Sequence, residues 1–314
     1  MRVHMFAASR LWGACLVALA GTVGASLGAC SSQDSADAVE PGAVLPPSGQ
    51  ALGGSATSKG VPPLPSADPN PLGLPPRPLT LLPGDRVFAV AGRMLPGAKV
   101  GSTLRLEPAA VLENLAETLL LQPPDGRVYK LHPAYALPVP PTYTPRPLDP
   151  LVVAWGGELK HAVVTKVVKD RALARLLDLD SRLPEQLLPK GGPALRQTPG
   201  LHPGNYALWE AAPGEHHHVL LVSAVERQPP CWFVLDYGGA ARLVESAQLR
   251  TLPLSLNGLR PGADVLAESL GRLLPAKVVS LDLPGFVQVR FERAGAPVWL
   301  GAGKVRPPLG TKPD

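Results

Sequence analysis

Pro261-Gly262-Ala263-Asp264-Val265-Leu266-Ala267, Ala276-Lys277-Val278-Val279-Ser280 and Val287-Gln288-Val289-Arg290-Phe291-Glu292 follow one another near the end of the chain. Pro297-Val298-Trp299-Leu300 and Lys304-Val305-Arg306-Pro307 close the series. Val287, Val289 and Phe291 alternate with Gln288 and Arg290, the period of two expected of a half-buried strand. The same order recurs upstream. Pro203-Gly204-Asn205-Tyr206-Ala207-Leu208-Trp209 precedes Val219 to Val225, Trp232 to Gly238, Arg242-Leu243-Val244 and Leu249-Arg250-Thr251-Leu252-Pro253. Earlier still stand Pro83-Gly84-Asp85-Arg86-Val87-Phe88-Ala89 with Ala98-Lys99-Val100, and Pro150-Leu151-Val152-Val153-Ala154 with Ala162-Val163-Val164. The starts fall near residues 83, 149, 203 and 261, a period of roughly 50 to 65 residues, which is the signature of a tandem array. Each copy reads as five short strands, and five short twisted strands close best into a small barrel that hides its sheet edges. The expected fold is all-β, with copies over 79–142, 149–198, 201–254 and 259–309. Two stretches are ambiguous: Val111, Leu115 and Leu119 stand at helical spacing, and Leu173 to Leu179 also fit a helical turn.

Composition agrees with short elements. The 314 residues include 39 Pro and 32 Gly, which argues against a helical bundle or a large parallel α/β enzyme. Disorder throughout is excluded by an apolar share of 45% against only 18% charged residues. Residues 31 to 78 are the exception: between Pro41 and Pro78 there are 11 Pro and 6 Gly and no aromatic residue, the make-up of an extended tether.

At the N-terminus Arg2 and Arg10 precede an apolar stretch, Leu11 to Leu27, and no acidic residue occurs before Asp34. This is the layout of a secretory signal. It ends in Leu27-Gly28-Ala29-Cys30, which resembles the lipobox of bacterial lipoproteins: an aliphatic residue, two small residues and a cysteine. The resemblance implies removal of residues 1–29, covalent lipid on Cys30, and membrane attachment through acyl chains, with 30–78 comprising the lipidated Cys and the Pro/Gly-rich tether. Ser31 in place of Asp implies sorting to the outer membrane in a two-membrane envelope. Ordinary cleavage near Ala25 or Ala29 is the alternative. With Cys15 in the signal and Cys30 acylated, Cys231 stands alone and cannot form an internal disulfide.

Phe233-Val234-Leu235-Asp236-Tyr237-Gly238-Gly239, followed by Leu249-Arg250-Thr251-Leu252-Pro253, resembles a Tudor domain. Val289-Arg290-Phe291-Glu292 and Val305-Arg306-Pro307 look like the related agenet and SH3-like barrels. The resemblance implies four SH3/Tudor-like barrels and, for an intact family member, capture of a methylated Lys or Arg in an aromatic cage. Tyr237 stands where one cage aromatic belongs, but Ala211 and His217 occupy the other positions of the third copy. The fourth copy offers Ser269, Leu273 and Leu274. The implied cage is therefore degenerate. In the strand 231–235, Cys231, Phe233 and Leu235 share one face and Trp232 and Val234 the other; one face packs its own core and the second meets the second or fourth copy, or a partner. Trp209, Trp232, Asp236 and Tyr237 are the candidate ligand or partner surface.

Glu215-His216-His217-His218 is the local cluster with metal-ligand chemistry, and on an extended chain only His216 and His218 point the same way. Without further ligands at metal spacing, a solvated turn is the simpler reading. Beyond the signal segment no Gly-x-Ser-x-Gly occurs, no zincin, phosphate-loop or dinucleotide motif is present, and Asp178 and Asp180 alternate as residues of a solvated face do. Removing residues 1–29 takes the formal charge from +5 to +3, a dispersed surplus that does not point to nucleic acid. The expectation is a lipid-anchored envelope protein, non-catalytic and without cofactor beyond the lipid on Cys30, that binds or scaffolds an envelope protein. Peptidoglycan binding is the alternative, and an envelope hydrolase or metal-binding protein a further one.

Overall fold

The computed structural model describes residues 68–141, 143–155, 158–176, 185–188, 192, 194–292 and 295–308. The signal segment, Cys30, the tether as far as residue 67, and Asp178 and Asp180 lie outside the described residues.

Among the described residues the chain is all-β, with twenty strands and three single-turn 3-10 segments. The first unit comprises β1 (Arg86–Val90), β2 (Leu106–Asn114), β3 (Leu119–Gln122), β4 (Tyr129–Leu131) and β5 (Ala136–Val139). The second has β6 (Pro150–Trp155), β7 (Glu158–Val168), β8 (Arg171–Leu176), β9 (Glu185–Leu187) and β10 (Ala194–Arg196). The third has β11 (Tyr206–Ala212), β12 (Glu215–Val225), β13 (Cys231–Asp236), β14 (Ala241–Glu245) and β15 (Leu249–Thr251). The fourth has β16 (Asp264–Ser269), β17 (Arg272–Ser280), β18 (Phe286–Phe291), β19 (Val298–Gly301) and β20 (Val305–Arg306). In every unit four strands meander antiparallel and the fifth returns to pair with the first. Third and fourth units are joined through His217 of β12 opposite Arg272 of β17, giving one ten-stranded sheet.

Expected closure into barrels is not seen: no ladder among the described residues joins the fourth strand of any unit to its fifth. The returning strands are too short to reach, β20 having two residues and β10 and β15 three each. Short edges are themselves a protection against stray pairing.

The repetition extends to individual hydrogen bonds. Gly84, Leu148, Gly204 and Gly262 all have positive φ, and the amide of each donates to the second strand of its unit, at Val111, Val164, Leu221 and Val278, with every N···O distance 2.8 Å. A bulge follows at once in each second strand, between Val111 and Glu113, Val164 and Lys166, Leu221 and Ser223, and Val278 and Ser280. The extra residue bends the strand and sharpens its twist, so one strand serves both halves of a curled sheet. The opening turn of the second unit is thus Pro147-Leu148-Asp149, slightly upstream of Pro150.

Three other expectations change. Val111 and Leu119 lie on the hairpin strands β2 and β3, and Leu115 stands in the turn between them, where Ala116 takes φ +64°; the helical spacing was a coincidence of two strands and a tight turn. Leu173 to Leu176 belong to β8, whose burial alternates residue by residue. Residues 68–78, read as the end of a tether, are packed onto the first unit. Leu74 is 3% exposed, Asn70 accepts from the Tyr135 hydroxyl, and the Arg77 guanidinium donates to the carbonyls of Ala136 and Val222.

The cores explain which faces meet. Trp232 and Val234 fill the third unit's own core with Ala207, Val219, Leu221, Val244 and Leu249. Cys231, Phe233 and Leu235 turn the other way and join the core of the first unit, where Phe233 meets the Tyr135 ring edge-on at 5.3 Å. The main neighbour of this face is therefore the first unit, which was not expected; Val152 and Leu195 of the second unit, which was, join the same core, and no residue of the fourth does. Backbone bonds reinforce that seam, from Leu104 N to Gly239 O and from Gly101 N to Ala241 O. Second and fourth units meet through Val163 and Phe286, with Trp299 packed alongside.

Candidate functional site

Where the units converge they leave an open cleft of about 390 Å³. Its lining comes from all four. The first unit supplies Leu104, Arg105 and Leu106 at the entry to β2, and the second supplies Leu159 and Lys160 from β7. Tyr206, His218 and Leu220 come from β11 and β12, and Leu235 to Gly239 from the end of β13 and its turn. Lys304 enters from the turn between β19 and β20.

Each polar group is held by a local feature of the sequence. The Tyr206 ring stacks on His218 at 4.5 Å and tilts against His161 at 5.3 Å. The His218 ring Nε2 lies 3.2 Å from the Gly303 carbonyl. Gly303 is required by its backbone, with φ +88°; a Cβ there would make only ordinary contact with His161 and Gln197, at 3.4 and 3.6 Å. Next to it, Lys304 Nζ lies 3.2 Å from Glu268 Oε2, both side chains being 6% exposed, and Glu268 Oε1 accepts from the Gly271 amide. A buried ion pair needs such further hydrogen bonds to offset its desolvation.

The candidate surface residues divide. Trp232 is buried in the core of its own unit and presents no surface. Trp209 is half-buried on β11, with Arg242 5.6 Å from its ring centroid and the His217 ring at 5.2 Å; it does not line the cleft. Asp236 and Tyr237 do line it. Asp236 accepts from Arg242 Nε and Nη2 at 3.1 and 3.0 Å and from the Ala240 amide at 2.8 Å, so its carboxylate shapes the turn that follows β13. Tyr237, 58% exposed, stands at the rim.

A cation cage does not assemble here. Of the rings lining the cleft, Tyr206 and His218 lie nearly parallel, at 21°, rather than as walls of a box. Three cationic side chains, Arg105, Lys160 and Lys304, face a single lining carboxylate. That balance disfavours a methylammonium ligand, which cation–π attraction alone would have to hold.

His216 and His218 are not joined by further ligands. Among the described residues no group of three His, Cys, Asp or Glu side chains could hold an ion. His218 is engaged as above, and Glu215 Oε1 is taken by Arg272 at 2.9 Å and His217 at 3.1 Å. Cys231 is buried at the seam between first and third units. No helix among the described residues is long and apolar enough to cross a membrane.

Lys160, Lys304, Arg105, Tyr206 and Glu268 were not singled out by the sequence. Lys304 carried one usable signal, the Gly301-Ala302-Gly303 run before it, which marks close backbone approach. Lys160 carried none, since a lysine on a strand is ordinarily a solvated residue. No protein-family model matches the chain, and no curated protein matches it.

Proposed function

We propose that this chain is a lipid-anchored envelope protein whose four β-units act together as a non-catalytic binding or scaffolding module for another envelope protein. One observation carries the binding reading: four copies of one unit converge on a single open cleft, and each contributes side chains to it. The anchor is supported by Leu27-Gly28-Ala29-Cys30 and by the charged and apolar segments before it. Acyl chains contribute about 0.8 kcal/mol per buried methylene, so two or three hold a protein on a bilayer stably. The units are of the SH3/Tudor-like class. The meander with a returning fifth strand and the bulged second strand support this, with the cage function of that class lost.

Two measurements test the reading. Mass spectrometry of the mature protein is expected to give a diacylglyceryl-modified Cys30 as the first residue; an unmodified N-terminus, or cleavage elsewhere, overturns the anchor. In a pull-down with purified sacculi the protein is expected to wash off in high salt. Retention in high salt would replace the protein-scaffold reading with peptidoglycan binding.

A further inference from the structure

We infer that the central cleft takes the C-terminal end of a peptide, a free carboxylate carried on a short apolar stretch. The inference rests on the reading of the chain as a binding module. It goes further by naming the ligand's chemistry.

Charge gives the first half of the argument. Among the described residues that line the cleft, Arg105, Lys160 and Lys304 come from three different units, against one carboxylate, Asp236. Asp236 is bonded to Arg242, and Lys304 to Glu268. The surplus is one of summed charge and does not require any of these groups to be unengaged. Arg105 is exposed and Lys160 half-buried, so both stand nearer solvent than the Lys304–Glu268 pair at the base. Low-dielectric walls around a cleft of one sign concentrate its field on an entering anion. Lys and Arg donors make short, strong bonds to a carboxylate.

Shape and polarity give the second half. A volume of about 390 Å³ lies at the lower end of the range for small-ligand pockets and suits two or three residues of peptide. Leu106, Leu220 and Leu235 are almost wholly buried, yet each offers part of its surface to the cleft wall. Tyr237, 58% exposed, stands at the mouth, where Gly271 lets its side chain lie directly against the backbone. An ordinary fatty acid would need a continuous apolar channel, whereas here polar and apolar lining residues are interspersed. A bare phosphate would leave the leucines unused.

The test uses the full acylated chain in detergent, with isothermal titration of four probes: acetyl-Ala-Leu-Ala as the free acid, the same peptide as its amide, sodium decanoate and inorganic phosphate. The free acid is expected to bind at least about tenfold more tightly than the amide and than phosphate. Arg105→Gln and Lys160→Gln are each expected to weaken it several-fold without changing the thermal midpoint. Lys277→Gln, at a surface lysine paired with Asp264 away from the cleft, is expected to leave it unchanged. Equal binding of acid and amide overturns the inference, as does decanoate binding more tightly than the peptide. Loss of affinity in Lys277→Gln equal to that in Arg105→Gln reduces the effect to net charge and also overturns it. Arg105 is exposed, so its variant remains informative even if Lys160→Gln fails to fold. An unacylated Cys30 would sink the anchored reading and leave this site standing. A cleft indifferent to the carboxylate would sink the site and leave the anchor standing.

Discussion

Lys304 and Glu268 hold one corner of the cleft by an interaction that exists only because both are buried together. Removing one partner leaves the other charge uncompensated in a low-dielectric site, which costs about 3–5 kcal/mol. Lys304→Met is therefore expected to lower the urea midpoint by a corresponding amount. The double variant Lys304→Met with Glu268→Leu should recover most of it, since an apolar pair of similar volume carries no desolvation penalty. His132 gives a pH dependence of known sign. Its Nδ1 accepts from the Ala134 amide at the start of a 3-10 turn, and burial holds its pKa below the ordinary 6.5. Glu117 acts weakly the other way. Above about pH 6.5 the ring is neutral in folded and unfolded chains alike and this contribution is intact. As pH falls through the depressed folded-state value the unfolded chain binds the proton more readily, and the contribution is lost. The urea midpoint is expected to fall as pH drops below about 6.5. His132→Asn, which keeps an acceptor at the cap, should flatten that slope.

The opening turn of each unit is the element that the sequence announces most clearly, and it can be tested as a set. Gly84 and Gly262 have φ of +92° and +85°, and a Cβ on either would meet nothing within 4 Å. Alanine at these two positions is expected to cost only the backbone preference, about 1–2 kcal/mol, and equally at both. Gly204→Ala should cost more, because its Cβ would press on Leu195 Cδ1 of the second unit at 3.0 Å. Thermal midpoints of the three variants check the order; a Gly204→Ala as mild as the others would mean that the Leu195 contact yields freely. The same turns show why legibility failed where it did. Pro-Gly before an alternating strand is turn chemistry readable from residues alone. In the second unit Leu148 takes the left-handed position instead, at φ +71°, and the start is displaced by the nearest familiar pattern, at Pro150. Bulges were invisible for a related reason: a bulge adds one residue without a composition signal of its own, so the apolar run across 219–225 reads as a plain strand. The cleft was least legible. Asp236 and Tyr237 were found because a motif contains them, whereas Arg105, Lys160 and Lys304 look like solvated residues until the four units bring them to one place.

Across the whole molecule the decisive feature is strand β13, apolar on both faces because it serves two cores. Strands with two buried faces read as continuous hydrophobic runs, and Cys231-Trp232-Phe233-Val234-Leu235 is one. The sequence placed its outer face against the second or fourth copy, the neighbours along the chain, or against a partner. The structure pairs it with the first unit, farthest from it in sequence among those packed on that face. A chain of independent small domains would melt unit by unit. Here the first unit's core contains Phe233 and Leu235, and the third unit continues into the fourth through β12 and β17, so the units are expected to unfold as one. Far-UV circular dichroism and tryptophan fluorescence should report a single coincident transition. Phe233→Ala, which empties a fully buried site beside Tyr135, should lower that one transition by about 3–5 kcal/mol rather than split it. Two separated transitions, with only one moved by Phe233→Ala, would mean that the seam contributes little. The cleft would then be a gap between mobile beads instead of a site held by the fold. Coincident melting ties the two together: residues that line the cleft from four units keep their spacing only while all four are folded.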